Sequence, residues 1–504
     1  MQKMKIGQRR LLIKSLIIKF FCQNFKQSSN NIIIWVFFII LSDLLLSNPL
    51  LSDLNIGINI PNKSLSYWHQ VNRLGALTNN PSISFSLIRK KQSLEFALKS
   101  IIYNNKWNKS LIQIGYLSKK INDYELKIGR WNEKLTSESI LSTGSLIRGN
   151  NTIPIPQITF LLPNYKKIQM LKTQFFIKGG YSHGWLSKGS YIKAPFLHEK
   201  YFYLKKHFNN QVELEVGIFH EAIWGGQTIE YGLQPQNFSD YLRVVFGQSG
   251  SKDAYLGEQI NVLGNHLGIW DVSIKKIFHS KQYKFYFQHP FEDKSGAFQY
   301  FFDELKQFKI PKNSFDGLFG FELNHKDRKP FSTLVYEYLN TMHQSGSLSA
   351  SKSDSTYGRD NYFNHYIYQS GWTYKNKIIG NPLFSVGNSK SKNQIYIINN
   401  RIKSHHIGVS GYLKSNLRYK ILLTKSKNYG TYDDRENFTG NEKKYQFYNG
   451  LNQTSALFQF DFIQFMKKID IQISYAIDRG SFLKDSDGFQ LSINYNFSNL
   501  SYSQ

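Results

Sequence analysis

The sequence is poor in cysteine, proline and acidic residues. Its 504 residues include one Cys and 12 Pro, and 35 Asp and Glu residues stand against 63 Lys and Arg residues. The mean hydropathy is −0.40, and the chain lacks the repeated runs of about 20 apolar residues that a polytopic helical membrane protein needs. Aromatic residues, in contrast, make up 16% of the chain, within a hydrophobic share of 41%. Such a chain can bury a large apolar surface, which excludes intrinsic disorder.

The formal charge of +28 raises the question of a nucleic-acid partner. Nucleic-acid proteins often cluster Arg along one face, because the guanidinium group contacts phosphates and base edges in a bidentate manner. Here the basic residues are mainly lysines spread along the chain, together with many Asn and Ile residues. An AT-rich coding bias favours these three residue types whatever the function of the protein. We therefore predict that the protein does not bind nucleic acid.

The first 52 residues have the pattern of an export signal. Seven basic residues between Lys3 and Lys26 precede the apolar run 32–41, which is short for a membrane span. A retained N-terminal anchor is the alternative, since no Ala-x-Ala motif marks a cleavage point. Cys22 lies within this segment, so the mature chain would contain no cysteine, which excludes disulfides and thiol catalysis.

The rest of the chain changes from one short helix to strands. Trp68, Val71 and Leu74 have helical spacing before Gly75, and we predict that 53–81 is a periplasmic segment leading into a barrel. From Ser82 apolar and polar residues alternate, as in Val212, Leu214, Val216 and Ile218.

Alternation continues to the C-terminus, where Phe489, Leu491, Ile493, Tyr495 and Phe497 share one face. An apolar lipid face with a polar lumen face, after an export signal, favours a transmembrane barrel over a soluble exported β-protein. We predict an all-β fold, an outer-membrane β-barrel of about 18 antiparallel strands over 82–497, with a tail over 498–504.

Motifs for catalysis or cofactor binding are weak. Gly179-Gly180 and Gly225-Gly226 lack the other residues of a phosphate-binding loop, and the adjacent His405 and His406 would point to opposite faces of a strand. The carboxylates of Glu292-Asp293 and Asp303-Glu304 are adjacent in sequence, which does not provide the separation of a glycosidase pair. We predict a non-enzymatic protein without metal or cofactor.

Loop-like segments that mix aromatic residues with amides and charges are typical of carbohydrate binding. Sugar rings stack on aromatic faces, while their hydroxyls need amide, carboxylate or imidazole partners. The predicted stacking residues are Trp224, Tyr362, Trp372 and Tyr374. The predicted polar partners are His220, Glu221, Asp360, Asn361, Asn364, His365 and Gln369. The alternative for each ring is packing or a place in the aromatic girdle of a barrel.

Several segments resemble the Wzi-type capsule assembly family of Gram-negative bacteria. They are Trp68–Leu77, Gly179–Gly184, Leu197–Lys200, Gly217–Gly226, Asn265–Asp271, Gln288–Gly296, Glu337–Gly346 and Gly358–Phe384. The resemblance extends from about Trp68 to Phe497 and implies an 18-stranded outer-membrane barrel that acts as a lectin for capsular polysaccharide. It also implies a small helical element on the periplasmic side, of which the sequence shows only the helix near Trp68. It supplies no catalytic motif.

The sequence therefore predicts an outer-membrane barrel of a Gram-negative bacterium that binds capsular or exopolysaccharide and supports capsule assembly. Its other contacts would be outer-membrane lipid and lipopolysaccharide, and we predict a monomer. Lysines in exposed loops would favour an acidic polymer. The alternatives are a solute-diffusion channel, a polysaccharide-modifying enzyme and a soluble exported β-protein.

Overall fold

A computed structural model gives the fold of the chain. The residues that it describes are 53–62, 65–104, 106, 109–132, 139–170, 173–187, 191–292, 313, 315–325, 327–344, 361–388, 395–431, 447 and 449–496. The predicted export signal (1–52), Phe497 and the predicted tail (498–504) lie outside this part of the chain.

Eighteen antiparallel strands form one closed sheet, which confirms the predicted barrel. The strands are β1 (Asp53–Pro61), β2 (Ser82–Lys91), β3 (Leu94–Tyr103), β4 (Leu111–Ile121), β5 (Tyr124–Arg130), β6 (Gln157–Met170), β7 (Thr173–Trp185), β8 (Phe196–His207), β9 (Val212–Trp224), β10 (Asn265–Phe278), β11 (Lys281–Phe291), β12 (Gly317–His325), β13 (Thr333–Asn340), β14 (Ile402–Lys414), β15 (Leu417–Asn428), β16 (Leu451–Met466), β17 (Ile469–Gly480) and β18 (Ser486–Asn496). Each strand pairs with its sequence neighbours, and β1 pairs with β18 to close the barrel.

Shorter strands and three helices lie in the connections. The short strands are Ile192–Lys193, Gln227–Thr228, Gly232–Leu233, Thr373–Tyr374, Lys377–Ile378, Ser385–Asn388 and Ile395–Asn399. The helices are α1 (Tyr67–Gln70), α2 (Phe238–Phe246) and α3 (Leu256–Ile260). No helix in the described part of the chain is long and apolar enough to span a membrane.

The alternation seen in the sequence separates an apolar outer face from a polar lumen. On β18 the outward Phe489 is 45% exposed, whereas its neighbour Gln490 is buried and faces the lumen. Phe160 on β6 and Tyr124 on β5 stack on the same outer face, with ring centroids 5.2 Å apart. Exposed rings outside and buried polar groups inside are what a barrel wall in lipid requires.

The two ends of the barrel differ. At one end the strands are joined by short turns, such as 92–93 between β2 and β3 and 279–280 between β10 and β11. Asn55 pairs with Asn496 near this turn end, so β1 starts where β18 stops. The other end, the loop end, carries the long connections 131–156, 225–264 and 341–401. Long loops of outer-membrane barrels face the cell exterior, and short turns face the periplasm.

The structure corrects the predicted N-terminal boundary. Residues 53–61, expected in a periplasmic segment, form β1, and Ile58 and Ile60 lie exposed on the outer face. Helix α1 follows at the loop end, where Ser66 Oγ donates to the Ala476 carbonyl at 3.0 Å and Tyr67 N donates to Asp478 Oδ2 at 2.7 Å. It ends at Gln70, short of the predicted Gly75, because Val71 is extended (φ −91°, ψ 160°).

A segment that we call the plug (139–156) folds into the lumen. Glu337 on the β13 wall accepts hydrogen bonds from Ser142 Oγ (2.5 Å), Thr143 N (2.8 Å) and Thr143 Oγ1 (2.7 Å). His406 on β14 donates to the Leu141 carbonyl at 2.6 Å. Buried polar groups paired in this way hold the plug to the wall, because breaking a pair would leave an unsatisfied charge or dipole.

Helix α2 lies against the outer face of the wall. Asn237 and Asp240 form a reciprocal cap at its start, and Gly247 ends it in the left-handed region (φ 56°). The Tyr241 ring contacts the Trp224 ring at 5.3 Å, and its hydroxyl bonds that of Tyr181 at 2.5 Å. The side of α2 turned away from the wall carries the exposed residues Phe238, Leu242 and Phe246.

Candidate carbohydrate-binding site

The loop 361–388, which contains most of the predicted site, lies on the plug as a lid. Trp372 Nε1 donates to the Ile147 carbonyl at 3.3 Å, and Thr152 Oγ1 donates to the Tyr374 carbonyl at 2.8 Å. Asn381 Nδ2 donates to the Gly144 carbonyl at 2.6 Å. The structure thus brings the predicted residues of this loop close to the plug, although these contacts are packing contacts.

The four rings predicted to stack on sugars are buried. The exposed fractions of Trp224, Tyr362, Trp372 and Tyr374 are 3%, 0%, 0% and 4%. Trp224 lies beneath α2 on the outer wall, and the other three belong to the main hydrophobic cluster of the plug and lid. In this conformation none of the four offers a face to a glycan, and packing, the alternative considered from the sequence, accounts for them.

The predicted polar partners within the lid hold the lid itself. Asn361 Oδ1 accepts from Asn364 Nδ2 (3.2 Å) and Asn400 Nδ2 (2.5 Å). Asn364 also exchanges two hydrogen bonds with the backbone of Ile397. His365 Nδ1 accepts from two backbone N–H groups, and burial lowers its pKa to about 3, so the imidazole stays neutral. Asp360 lies outside the described residues.

His220 and Glu221 point to opposite faces of β9 and therefore do not form one site. His220 faces outward, where its Nε2 lies 2.9 Å from His266 Nδ1. Glu221 faces the lumen, fully buried, with its Oε1 3.5 Å from Arg148 Nη1. Arg148 is itself 2.5 Å from Glu199, so this carboxylate pair fixes the plug to the wall.

Gln369, which is half-buried, reaches across to a different loop. Its Nε2 donates to Glu230 Oε2 at 3.0 Å, and Tyr191 donates to the same oxygen at 3.2 Å. Tyr231, which directly follows Glu230, belongs to a group of three tyrosine rings. We call the set of Glu230, Tyr231, Tyr255, Tyr366 and Gln369 the rim cluster.

The rings of the rim cluster form a compact group at the loop end. The Tyr231 and Tyr255 centroids are 5.0 Å apart, those of Tyr255 and Tyr366 5.9 Å, and those of Tyr231 and Tyr366 6.4 Å. Tyr255 is 51% exposed, whereas Tyr231 and Tyr366 are half-buried. Such a group offers the apolar ring faces that a carbohydrate site requires, while the Tyr366 hydroxyl itself is buried.

Helix α3 packs against this cluster. Tyr255 is its N-cap residue, and Gly257 packs so closely on the Tyr366 hydroxyl that an added Cβ would lie 2.4 Å from it. Glu258 is buried, with Oε1 accepting from Gly264 N at 2.9 Å, and Oε2 has no hydrogen-bond partner within the described part of the chain. Burial therefore raises the pKa of Glu258 to about 7.

Sequence reasoning missed Glu230, Tyr231 and Tyr255. Tyr255 follows a stretch rich in Gly, Ser, Lys and Asp (247–254), which was the available signal for an exposed ring. Glu230 and Tyr231 lie 139 and 135 residues before the lid residues Gln369 and Tyr366 that they meet. Only the fold brings these loops together.

Together, the closed 18-stranded wall, the outer apolar rings and the filled lumen define a plugged outer-membrane β-barrel. The family model of the capsule assembly protein Wzi matches residues 96–491, and the chain belongs to this family. It is therefore an outer-membrane protein, and its loop end faces the cell exterior. The resemblance read from the sequence is confirmed.

A solved structure of an outer-membrane barrel shares the fold. The chain is 13% identical to Wzi of Escherichia coli, described as an outer-membrane protein involved in group 1 capsule assembly and a carbohydrate-binding β-barrel. That match covers 91% of this chain and 88% of the other, with a TM-score of 0.56. OccK3 of Pseudomonas aeruginosa is 9% identical, with 89% and 96% covered and a TM-score of 0.44. No curated protein sequence matches the chain.

Proposed function

We propose that this protein binds capsular or exopolysaccharide at the cell surface through the rim cluster, and that it supports capsule assembly without cleaving the polymer. Membership of the capsule assembly family supports the general role. The main support for the site is a group of three tyrosine rings at the loop end, one of which, Tyr231, directly follows Glu230 of the Glu230–Gln369 pair. Glycan C–H faces would stack on the rings, and hydroxyls would bond the carboxylate and amide.

The plug and lid support binding rather than passage of solutes. The plug lies in the lumen, and one cavity beside it, lined by Ser142, Asp271, Lys284 and Glu322 among others, holds about 20 Å³. A diffusion channel needs a continuous aqueous path. Purified protein in planar bilayers should therefore pass little current, and a large open-channel conductance would instead favour the diffusion channel.

The direct test is retention of the strain's own purified capsular polysaccharide by detergent-purified protein. The variants are Tyr255→Ala and Gln369→Ala in the rim cluster. We expect each to weaken retention by about tenfold, the effect of losing about 1.4 kcal/mol of binding free energy. Tyr124→Ala is the matched control, since this ring is 41% exposed on the outer wall, away from the loops.

The outcome separates the proposal from its rivals. If wild-type protein does not retain the polymer, or if the control variant loses as much binding as the rim variants, the proposal is wrong. Shortening of the polymer during incubation with wild-type protein would favour a polysaccharide-modifying enzyme. In cells, loss of the protein should release polymer into the medium, while a normally attached capsule would contradict the proposed role.

A further inference from the structure

An open cavity of about 430 Å³ lies near the loop end of strands β12, β13 and β14. Its lining residues are Phe315, Phe319, Tyr338, Asn340, His343 and Lys403. It belongs neither to the plug nor to the rim cluster. Three aromatic rings, an amide, an imidazole and an ammonium group around one cavity are an unusual combination for a surface that meets only hydrocarbon.

The strand register places this cavity on the outer face of the barrel. Tyr338 lies two residues from Tyr336, which is 39% exposed and pairs with the outward Ile407. Phe319 pairs with Tyr338, and Asn340 pairs with Lys403, so these side chains share the outer face. The cavity therefore opens sideways towards the membrane, at the level where the strands reach the exterior loops.

Below the cavity the outer face continues as a band of aromatic rings. The Phe287 and Phe319 centroids are 4.4 Å apart, and the Phe285 and Phe321 centroids are 4.9 Å apart. Phe285 is 60% exposed. Aromatic bands of this kind mark the interface between hydrocarbon and headgroups. The cavity lies on the exterior side of the band, at headgroup level.

The polar groups of the cavity point to a ligand with both an anionic group and a hydrogen-bond donor. Asn340 is 4% exposed, and its Nδ2 donates to the Phe315 carbonyl at 2.8 Å. Its Oδ1 is buried without a hydrogen-bond partner among the described residues. Lys403 is exposed at the cavity and would pair with an anion. An acceptor, a cation and apolar walls together fit a phosphorylated sugar with hydroxyl or amide N–H groups.

We propose that this cavity binds the phosphorylated amino-sugar headgroup of an outer-leaflet glycolipid. Lys403 pairs with a phosphate, Asn340 Oδ1 accepts from a hydroxyl or amide N–H, and the rings of Phe319 and Tyr338 contact the sugar and the first acyl carbons. The sideways opening and the adjoining aromatic band favour a membrane lipid over a polysaccharide chain arriving from outside. Such a site would anchor and orient the barrel in the outer leaflet, independently of the rim cluster.

Native mass spectrometry of the detergent-purified full-length protein tests this site. The probe is diphosphorylated lipid A, and the second arm is the same lipid with both phosphates removed. We expect a stoichiometric adduct of lipid A with the wild-type protein. The amount of adduct should fall at least about fivefold with the dephosphorylated lipid, and equally in Lys403→Gln, since either change removes a charge-assisted contact. Phe315→Ala, a change at a ring that is 68% exposed, should weaken the adduct without affecting folding.

Lys119→Gln is the matched control. Lys119 is an exposed lysine on the outer face of β4, paired with Leu126 near the turn end. Its adducts should equal those of wild type, and heat-modifiable migration should show that every variant is folded. Equal adducts for Lys403→Gln and Lys119→Gln, or for the two lipids, would overturn the proposal. So would a polysaccharide-binding defect in Lys403→Gln with unchanged lipid adducts.

Discussion

The rings of the lid and the rings of the rim cluster both lie at the loop end, but the lid rings are buried whereas the rim cluster is partly exposed. Tyr362, Trp372 and Tyr374 are 0–4% exposed and contact the plug, whereas Tyr255 is 51% exposed above α3. The buried rings gain stability from packing, while an exposed ring gains little until a ligand covers it. Aromatic residues beside amides therefore occur both in a buried core and on an exposed surface, and only burial distinguishes the two.

The largest effect should follow removal of a lid ring. Trp372→Ala leaves a cavity in place of a fully buried ring, and large-to-small changes of this kind lower the free energy of unfolding by about 3–5 kcal/mol. We expect the lid to separate from the plug while the barrel wall stays folded. Hydrogen exchange of 361–384 should speed up, and step-like currents should appear in planar bilayers. An unchanged exchange rate would mean that the lid does not depend on this ring.

A smaller effect should follow a change at the wall that holds the plug. Glu337→Gln replaces the carboxylate that accepts from Ser142, Thr143 and Tyr286, which weakens charge-assisted bonds by about 1–3 kcal/mol. Protease cleavage within 139–156 should increase, with little change in polysaccharide retention. Loss of retention equal to that of a rim variant would show that plug and rim cannot be separated.

The support of the rim cluster can be altered without touching its rings. In Gly257→Ala the new Cβ would lie 2.4 Å from the Tyr366 hydroxyl, so the ring must shift. We expect polysaccharide affinity to fall about threefold, because ring stacking depends on orientation. Gly232→Ala serves as the control, since Gly232 has no atom within 4 Å of an added Cβ, although its positive φ of 68° adds a small backbone strain. Equal losses in both would argue against a role for the Tyr366 position.

The smallest effect should be a pH dependence from Glu258. Burial raises its pKa from 4.5 to about 7, so native protein keeps the proton where the unfolded chain has lost it. The stabilisation is complete below pH of about 4.5 and is lost as pH rises through about 7. The protection factors of amides in 250–264, which correct for the intrinsic base-catalysed exchange rate, should therefore fall between pH 5 and pH 8, and Glu258→Gln should abolish this fall. An identical pH response in the variant would assign the effect to another group.

The sequence was sufficient for the barrel but not for its N-terminal strand or its site. Period-two alternation predicted β18, because lipid and lumen impose opposite demands on Phe489 and Gln490. β1 was missed because its short alternation follows directly after the predicted export signal. Trp372 contacts Ile147, which lies 225 residues away in sequence. The residues next to Trp372 in sequence do not predict that contact.

The rim cluster could not be predicted for the same reason, because it depends on contacts between residues far apart in sequence. Gln369 was predicted as a sugar-binding residue from its neighbours, yet its partner Glu230 lies 139 residues earlier in a different loop. The local sequence pattern predicts loops suited to glycans, while the arrangement of their residues depends on how the plug and lid pack in the lumen.

Hydroxyl-radical footprinting of the full-length barrel, with and without the strain's capsular polysaccharide, tests the central claim most directly. We expect polysaccharide to protect Tyr231, Tyr255 and Tyr366 from oxidation, while Tyr362 and Trp372 show low oxidation in both states and Tyr124 shows no change. Protection confined to other loops, or none at all under conditions where the polymer is bound, would contradict it.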